Sequence, residues 1–322
     1  MKINDEILKF KEQLKDANSI ALISHLDPDG DNLGSLTALS KSLLNLGKKV
    51  YPIEFDKIPK NLKFLPNLDL LSDNTDININ MIICLDCANY ERLGKIDELF
   101  NKAKYRINID HHQSNEFYGD VNIVKKGYSS TCELVFDLIN EINLPIDKEI
   151  SMSLLTGIST DTGRFLYSAT TADTLAKASK LVEYGADMMK INELIYQSKK
   201  FEAQLLENEI LSKTEIYNDY VAIGFVMTDQ LNKYNVEISD IDSVINTFRD
   251  TDKIKISVLI KQQAENEYKV SFRSKGNIDV GLIAKNLGGG GHKNAAATRI
   301  TGNFETVSNK IKEEIDRYGL CN

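Results

Sequence analysis

The stretch SHLDPDGDNLGS, residues 24–35, places one histidine and three aspartates close together: His25, Asp27, Asp29 and Asp31. Carboxylates at such short spacing repel one another at neutral pH unless water or a cation offsets their charge. Imidazole and carboxylate groups are also common ligands of divalent metals. The composition of this stretch therefore raises the question of a metal site.

A calcium loop of the EF-hand type is the first alternative, because the aspartates alternate along the chain as they do in that loop. An EF-hand has glycine at its sixth position and glutamate at its twelfth. Here the glycine is fourth, Gly30, and the twelfth residue is Ala38, so the pattern fails. A loop that only caps the next helix needs one Asp or Asn, not a histidine with three acids. For the motif taken alone, an ordinary polar turn stays open.

Other candidate residues lie far away in sequence. The chain has four histidines, at positions 25, 111, 112 and 292, and each has further candidate residues beside it. Asp86 ends the apolar run MIICLD, and Asp110 ends YRINID, immediately before His111 and His112. Asp161 follows the apolar segment SMSLLTGI. These acids and imidazoles are candidates for the same site.

Four apolar runs predict buried strands, and the periodic segments between them predict helices. The strands are SIALIS, KKVYPI, NMIICLD and YRINID, and the helices are NLGSLTALSKSLLNLG and residues 92–104, 130–142 and 148–160. Strands that alternate with helices indicate an α/β fold with a mainly parallel, doubly wound sheet covered on both faces. In such sheets ligands bind beyond the carboxyl ends of the strands, which is where three of the candidate clusters fall.

Charge counting gives the number of cations, if the candidates converge. The candidate ligands are His25, Asp29, Asp31, Asp86, His111 and Asp161. Their four carboxylates carry a formal charge of about −4, which two divalent cations match and one does not; one carboxylate would bridge them. Imidazole and carboxylate ligands suit Mn²⁺, with Mg²⁺, Co²⁺ and Fe²⁺ as competitors, and exclude a cysteine-rich zinc site.

Cys84 and Cys87 form a CxxC motif, which could be a redox pair or half of a zinc site. No second CxxC follows, and both lie in the strand-like run MIICLDCA, so we interpret them as buried thiols. Three polar residues, Ser129, Ser130 and Thr131, precede the helix CELVFDLIN. We expect them to cap this helix rather than to contact phosphate.

The second half of the chain predicts a different domain. No Gly or Pro occurs between Ala186 and Ile223, and residues 189–213 have the pattern of one long helix. We therefore place a catalytic α/β domain at 1–190, a helical connector at 191–213 and a smaller mixed α+β domain at 214–322. In this last domain the glycine-rich segment GGGGH is expected to form a loop between a helix and a strand.

The formal net charge of −8 argues against tight binding to long nucleic acid, which needs many Lys and Arg contacts to phosphates. The segment from Lys269 to Arg299, however, contains six basic residues and one acidic residue, which gives a formal charge of +5. This distribution suits a small anionic ligand. No apolar run approaches the ~18 residues of a membrane span, and the first 14 residues predict an amphipathic helix rather than a signal peptide. We expect a cytoplasmic protein.

The motifs follow one another along nearly the whole chain. They are His25, Pro28, Asp29 and Asp31 in HLDPDGD, the strand-end Asp86, DHH at 110–112, TDTG at 160–163 and GGGGH at 288–292. In this order they resemble the DHH phosphoesterases with a DHH-associated C-terminal domain, and among these the two-domain nanoRNases that also act as pAp phosphatases. The resemblance implies a Mn²⁺-dependent hydrolase with its active site in the cleft between the two domains.

The resemblance also implies roles for single residues. One metal would be held by His25, Asp29 and Asp86, and the other by Asp31, Asp86, His111 and Asp161. Asp110 would orient the histidine ligand and His112 would face the substrate phosphate, while Asp27 matches no ligand position. In the second domain, Arg273, the four glycines Gly288, Gly289, Gly290 and Gly291, and His292 would contact phosphate and nucleotide. Backbone N–H groups of successive glycines can approach an anion without obstruction.

The implied activity is hydrolysis of short oligoribonucleotides to mononucleotides and removal of the 3′-phosphate of pAp. A phosphodiesterase acting on cyclic di-AMP or its linear product pApA is the alternative within the family. A nucleotide-binding module without catalysis would be expected to lack ligands, yet all six candidate positions carry competent side chains. The expected partners are short single-stranded RNA or a small nucleotide, with no long duplex and no membrane; a homodimer stays open.

Overall fold

The computed structural model describes residues 3–319 and divides the chain into two compact units, with the boundary between Ser198 and Lys199. Each unit has its own sheet and its own hydrophobic core. Among the helices of residues 3–319, none combines the length and the apolar character that a bilayer-spanning segment needs.

The first unit contains a five-stranded sheet in the order β2-β1-β3-β4-β5, in which every pair of neighbouring strands is parallel. Its elements are, in chain order, α1 (Ile3–Asp16), β1 (Ser19–Ser24), α2 (Gly30–Asn45), β2 (Lys49–Ile53), β3 (Met81–Leu85), α3 (Asp97–Lys102), β4 (Tyr105–Asp110), β5 (Val121–Val124), α4 (Thr131–Glu141), α5 (Lys148–Asp161), α6 (Ala172–Glu183) and α7 (Met188–Tyr196). The predicted α/β fold with a parallel sheet is confirmed.

Both faces of this sheet are buried, as expected for a doubly wound arrangement. Alternate residues of one strand belong to two different clusters: Ile83 packs in the cluster that includes residues of α2, α4 and α5, and Ile82 in the cluster that includes residues of α3. Each strand therefore reads as a continuous apolar run. Cys84 and Cys87 are buried free thiols on the second face, as interpreted from the sequence; Cys321 lies outside the described residues.

Helix α2 follows the aspartate-rich turn and is buried along most of its length. It packs tightly against α5 because glycine occupies the contact on both helices. A methyl group added at Gly34 would lie 2.6 Å from the carbonyl oxygen of Ser153 and 2.9 Å from Sγ of Cys132. One added at Gly157 would lie 2.2 Å from that same sulfur. The two helices that begin and end at candidate residues are thus fixed against each other.

One local prediction in this unit is wrong, and one strand was not predicted. The helix expected over 92–104 is instead a short 3₁₀ turn, Tyr90–Leu93, followed by α3, because Gly94 between them has a φ of +78°. Strand β5 was not predicted, since VNIV is too short to stand out from its polar surroundings. It pairs with β4 and forms one edge of the sheet.

The continuous helix predicted over 189–213 is also wrong: α7 ends at Tyr196 and a new helix begins at Phe201. The reason is that the apolar residues on the two sides of the break serve different cores. Ile191 belongs to the core of the first unit, whereas Leu206 and Ile210 belong to a core of the second. The chain leaves the helical conformation where it passes from one to the other.

The second unit contains a six-stranded mixed sheet in the order β10-β11-β9-β8-β7-β6, in which only β7 and β8 pair in parallel. Its elements are α8 (Phe201–Ser212), β6 (Glu215–Tyr217), β7 (Val221–Val226), α9 (Thr228–Tyr234), α10 (Val244–Arg249), β8 (Ile256–Ala264), β9 (Glu267–Ser274), α11 (Val280–Asn286), β10 (Gly290–His292), β11 (Ala295–Thr301) and α12 (Phe304–Tyr318). The expected mixed α+β architecture is present.

The sequence predicted that the segment GGGGH forms a loop, but only part of it does. Gly288 has a φ of +82° just after α11, but Gly290, Gly291 and His292 form the edge strand β10, which pairs with β11. Gly289 is required by packing, because a methyl group there would lie 2.2 Å from the carbonyl oxygen of Ala297. At Gly290, by contrast, such a group would meet no atom within 4 Å.

We predict that Gly34→Ala destabilises the protein. Alanine favours a helix over glycine by about 1 kcal/mol, but forcing a methyl group into a packed contact costs about 1–3 kcal/mol, and the nearest atom here is backbone. Urea unfolding followed by circular dichroism should show a net loss. The matched control is Gly290→Ala, which adds the same group in open space. Equal unfolding free energies for the two variants would contradict the close packing of α2 on α5.

Candidate metal centre

Three strand ends and two helix ends of the first unit bring the candidate residues together. His25 follows β1, Asp86 follows β3, and His111 follows β4, so all three lie at the carboxyl edge of the sheet. Asp29 caps the N-terminus of α2, and Asp161 is the last residue of α5. Residues that are up to 136 positions apart in sequence (25 to 161) therefore share one edge of the fold.

Asp86 lies at the centre of this cluster, and its two oxygens face two different histidines. Oδ2 lies 3.5 Å from Nε2 of His25, and Oδ1 lies 3.6 Å from Nε2 of His111. The carboxylate is 2% exposed. A carboxylate with one oxygen turned to each of two imidazoles has the arrangement of a bridging ligand between two metal ions.

The backbone of Asp86 is in the left-handed region, with a φ of +53°. Aspartate and asparagine tolerate this conformation better than other residues with a side chain. The conformation is held by a hydrogen bond from the Asp86 N–H to the carbonyl of Ile109, 3.0 Å. The hydroxyl of Thr131 donates to Oδ1 of Asp86, 2.9 Å. The neighbouring strand and α4 thus fix both the backbone and the side chain.

On one side of Asp86 lie His25 and Asp29. Oδ1 of Asp29 accepts from the amides of Asp31 and Asn32 at the start of α2, while Oδ2 lies 3.9 Å from Nε2 of His25. His25 Nδ1 lies 2.7 Å from the carbonyl of Leu26, which leaves Nε2 directed at the carboxylates. Ligand atoms of His25, Asp29 and Asp86 lie within 4.8 Å of one another.

On the other side lie Asp31, His111 and Asp161, whose ligand atoms also lie within 4.8 Å of one another. Nε2 of His111 is 3.8 Å from Asp31 and 3.4 Å from Asp161. The Asp31 carboxylate is fully buried and accepts from two backbone amides at the N-terminus of α4, those of Thr131 (2.6 Å) and Cys132 (2.8 Å). A helix N-terminus favours such an anion.

The electrostatics of the cluster oppose so many carboxylates without a cation. Burial, and next the charge of Asp86, raise the pKa of Asp31 well above its ordinary range. Burial would also raise the pKa of Asp86, but the hydrogen bond with His25 and the charges of His112 and His25 outweigh it and hold that pKa low. The two ligand sets, and a third group formed by Asp86, His111 and His112, contain only imidazole and carboxylate donors. This donor set could hold divalent cations.

His112 belongs to a third candidate group, with Asp86 and His111, and its Nδ1 lies 3.6 Å from Oδ1 of Asp86. Oδ1 of Asp110 lies 2.7 Å from Nδ1 of His112 and accepts from the backbone N–H of His111, 2.9 Å. Burial opposes protonation of His112, but this contact and the charge of Asp86 outweigh it and raise its pKa to about 9. The sequence interpretation had Asp110 orient the metal-binding histidine. Its carboxylate accepts from the backbone of that histidine, His111, and also contacts the ring of His112, while Nδ1 of His111 lies 3.2 Å from the Tyr128 carbonyl.

Several contributors were missed from the sequence. Asn115 is 6% exposed and donates to Oδ2 of Asp110, 2.6 Å, so it fixes the carboxylate that positions His112. Of the three residues expected to cap α4, Ser130 does so by accepting from Glu133 N–H. Thr131 contacts Asp86 instead, and Ser129 contacts Glu133. No spacing rule signals these contacts, because they depend on where α4 begins relative to the sheet.

The remaining predicted residues are Asp27 of the first unit and the residues of the second unit. Asp27 has a φ of +61° and its N–H donates to Asp56, which agrees with a local turn. Arg273 is on β9, where its guanidinium donates to the carbonyl of Phe272, 2.9 Å. Both Arg273 and the glycine segment belong to the second unit, and the side chain of His292 lies outside the described part of the structure. Their contact with substrate stays a prediction.

Comparison with known proteins gives two family matches. Residues 19–158 match the N-terminal domain of the DHH family, and residues 218–317 match the DHHA1 domain. The first match contains all the clustered residues except Asp161, and the second contains Arg273 and the whole glycine segment.

Curated and solved relatives cover almost the entire chain. A bifunctional oligoribonuclease and PAP phosphatase NrnA of Thermus thermophilus is 30% identical over 326 aligned positions, covering 99% of this chain and 95% of the relative. A protein of the same name from Bacillus subtilis is 28% identical, covering 88% and 90%. The crystal structure of an exopolyphosphatase-related protein from Bacteroides fragilis has a TM-score of 0.92 at 27% identity, covering 98% and 96%.

We predict that Asp86→Asn removes Mn²⁺ binding at both sets of ligands. Asparagine keeps the left-handed backbone but removes the charge that lies between His25 of one set and His111 of the other. Isothermal titration of metal-stripped protein should show affinity lowered by more than the roughly 10- to 100-fold that loss of an outer-shell partner costs. Asp27→Asn is the matched control, because Asp27 has the same backbone conformation outside the cluster. Wild-type stoichiometry in Asp86→Asn would refute the bridging position.

Proposed function

This chain belongs to the DHH family, and from that membership we propose that it hydrolyses short oligoribonucleotides to mononucleotides and removes the 3′-phosphate of pAp. The observation that carries the proposal is the position of Asp86 between the two ligand sets, with one oxygen 3.5 Å from His25 and the other 3.6 Å from His111. It occurs in a chain that is 30% identical to an oligoribonuclease and PAP phosphatase over 99% of its length. The general class, a hydrolase of phosphate esters, follows from the family.

We assign the metal ligands as follows. His25, Asp29 and Asp86 would hold one divalent cation, and Asp31, Asp86, His111 and Asp161 the other. When bound, such a pair lowers the pKa of water and neutralises charge on phosphoryl oxygens. Manganese is the cation that we propose for both positions, with Mg²⁺, Co²⁺ and Fe²⁺ as alternatives, because none of the assigned ligands is a thiolate.

His112 is the residue that we assign to the phosphate itself. Its Nδ1 is engaged by Asp110, which in turn is fixed by Asn115. The ring therefore has one orientation, and its Nε2 would donate a hydrogen bond to a phosphoryl oxygen. A carboxylate that holds one ring nitrogen also stabilises a proton on the other as charge develops. Asp110 is thus a positioning residue for His112.

We assign recognition of the substrate's phosphate and nucleotide to the second unit. Arg273 can bind a phosphate with two parallel hydrogen bonds. Among the glycines, Gly288 and Gly290 support the assignment best, because apart from the glycine itself and its chain neighbours no atom lies within 4 Å of the place where a side chain would begin, so that an anion can approach the backbone. The local charge balance of +5 between residues 269 and 299 supports the same assignment.

A substrate panel tests the proposal. Purified protein with Mn²⁺ should release mononucleotides from di- to pentaribonucleotides and inorganic phosphate from pAp, while a long duplex should remain intact. Chromatography of the products would measure both activities. Turnover of cyclic di-AMP or pApA with neither of the other substrates would replace the proposal by the alternative activity, and no turnover of any of them would reject it.

A second prediction addresses the second unit. Arg273→Ala should raise KM for pAp by about 10-fold or more with a smaller change in kcat, because a charge-assisted hydrogen bond contributes about 1.5–3 kcal/mol. Steady-state kinetics would separate the two constants. Arg317→Ala is the control, since the Arg317 side chain is 73% exposed on α12 and lies 3.4 Å from Glu314. Unchanged KM and kcat in Arg273→Ala would exclude a substrate contact.

A further inference from the structure

The segment 128–132 contacts three members of the metal centre. The carbonyl of Tyr128 faces Nδ1 of His111, and the amides of Thr131 and Cys132 donate to Asp31. The hydroxyl of Thr131 donates to Asp86. Small movements of this segment would therefore move ligands of both proposed metals, and what holds the segment in place becomes important.

The carboxylate of Glu133 contacts this segment at Ser129. Oε2 of Glu133 accepts from both the backbone N–H of Ser129, 3.0 Å, and its hydroxyl, 2.6 Å. The same oxygen accepts from the hydroxyl of Thr174 on α6, 3.2 Å. Glu133 is 2% exposed, so these bonds are made in a site from which water is largely excluded.

Lys177 of α6 neutralises this buried carboxylate. Its Nζ lies 3.0 Å from Oε1 of Glu133, and it also contacts Asp137 at 2.8 Å and Asp173 at 2.7 Å. The same ammonium lies 4.3 Å from the centre of the Tyr128 ring. Lys177 is 7% exposed. Lys177 thus contacts both the ring of Tyr128, the first residue of the segment, and the carboxylate that accepts from Ser129, the second.

We propose that Glu133 and Lys177 are positioning residues of the metal centre: the pair fixes segment 128–132, and through it the orientation of His111, Asp31 and Asp86. The proposal rests on the metal ligands assigned under the proposed function. Partners behind the ligands of a metal are known to set affinity, because they hold donor atoms at the required geometry before the ion arrives. Here the partners act through two successive contacts: the ion pair between Lys177 and Glu133, and the hydrogen bonds between Glu133 and Ser129.

A role limited to joining α4 and α6 is the competing explanation. It predicts a loss of stability when either residue is changed but no specific loss of metal affinity. The two explanations differ in a measurable quantity, the dissociation constant for Mn²⁺ of protein that is shown to be folded.

The experiment compares variants by titration of metal-stripped protein with Mn²⁺, alongside thermal unfolding in EDTA. Glu133→Gln and Lys177→Met should each raise the dissociation constant about 10- to 100-fold. Lys177→Arg, which keeps the cation, should restore most of the affinity. The matched control is Asp173→Asn. Asp173 is on α6, as Lys177 is, and forms an ion pair with it, but its side chain is 68% exposed. We expect its affinity to stay within about twofold of wild type, as for an exposed ion pair.

Removal of one member of a buried pair can prevent folding, so a milder variant is included. Ser129→Ala deletes one bond between Glu133 and the segment without leaving a charge unpaired, and it should weaken Mn²⁺ binding by about tenfold. Wild-type affinity in folded Glu133→Gln, Lys177→Met or Ser129→Ala would overturn the positioning role, whatever the melting temperature. Absence of Mn²⁺ binding in the wild-type protein would instead reject the metal centre and, with it, the proposed function.

Discussion

The confinement of negative charge at the carboxyl edge of the first sheet is the constraint on which the rest of this structure depends. Asp31 and Asp86 are buried carboxylates close to each other and to Asp161. An ionised carboxylate in a protein interior is costly unless it is paired or hydrogen-bonded. The fold meets this requirement with strand ends that present imidazoles and with helix N-termini that present amides. The negative charge that these groups do not balance favours the binding of cations.

Much of the surrounding structure can be understood as layers around that charge. Backbone amides of α2 and α4 bind Asp29 and Asp31 directly. The next layer, Asn115 and the carbonyl of Tyr128, fixes the histidine rings or the acid beside them. The glycine contacts between α2 and α5 keep the helices that carry Asp31 and Asp161 at a short separation. A site whose residues come from three strand ends and two helix ends needs this rigidity, because its donor atoms keep their distances only while these elements stay fixed against one another.

The fold class and the clustered residues could be predicted from the sequence, because strand periodicity and the position of acids after strands are local signals. Asp86 is an example: an acid that ends a fully apolar run must lie at a strand end. The contacts of Thr131, Asn115 and Lys177 could not be predicted, since each depends on the distance between elements rather than on spacing along the chain. The break after Tyr196 escaped prediction for a similar reason, because helical periodicity continues across it while the core that it serves changes. The glycines of GGGGH predicted a loop, but Gly290, Gly291 and His292 form a strand because they pair with β11.

The left-handed backbone of Asp86 limits which residues evolution or a protein engineer can place there. Glutamate has the same charge and would be the obvious replacement by chemistry alone. It is less tolerant of positive φ than aspartate, and its longer side chain would have to carry both oxygens about one carbon farther from the strand. A replacement that keeps the charge therefore does not keep the site. Backbone conformation and side-chain length each favour aspartate over glutamate at this position.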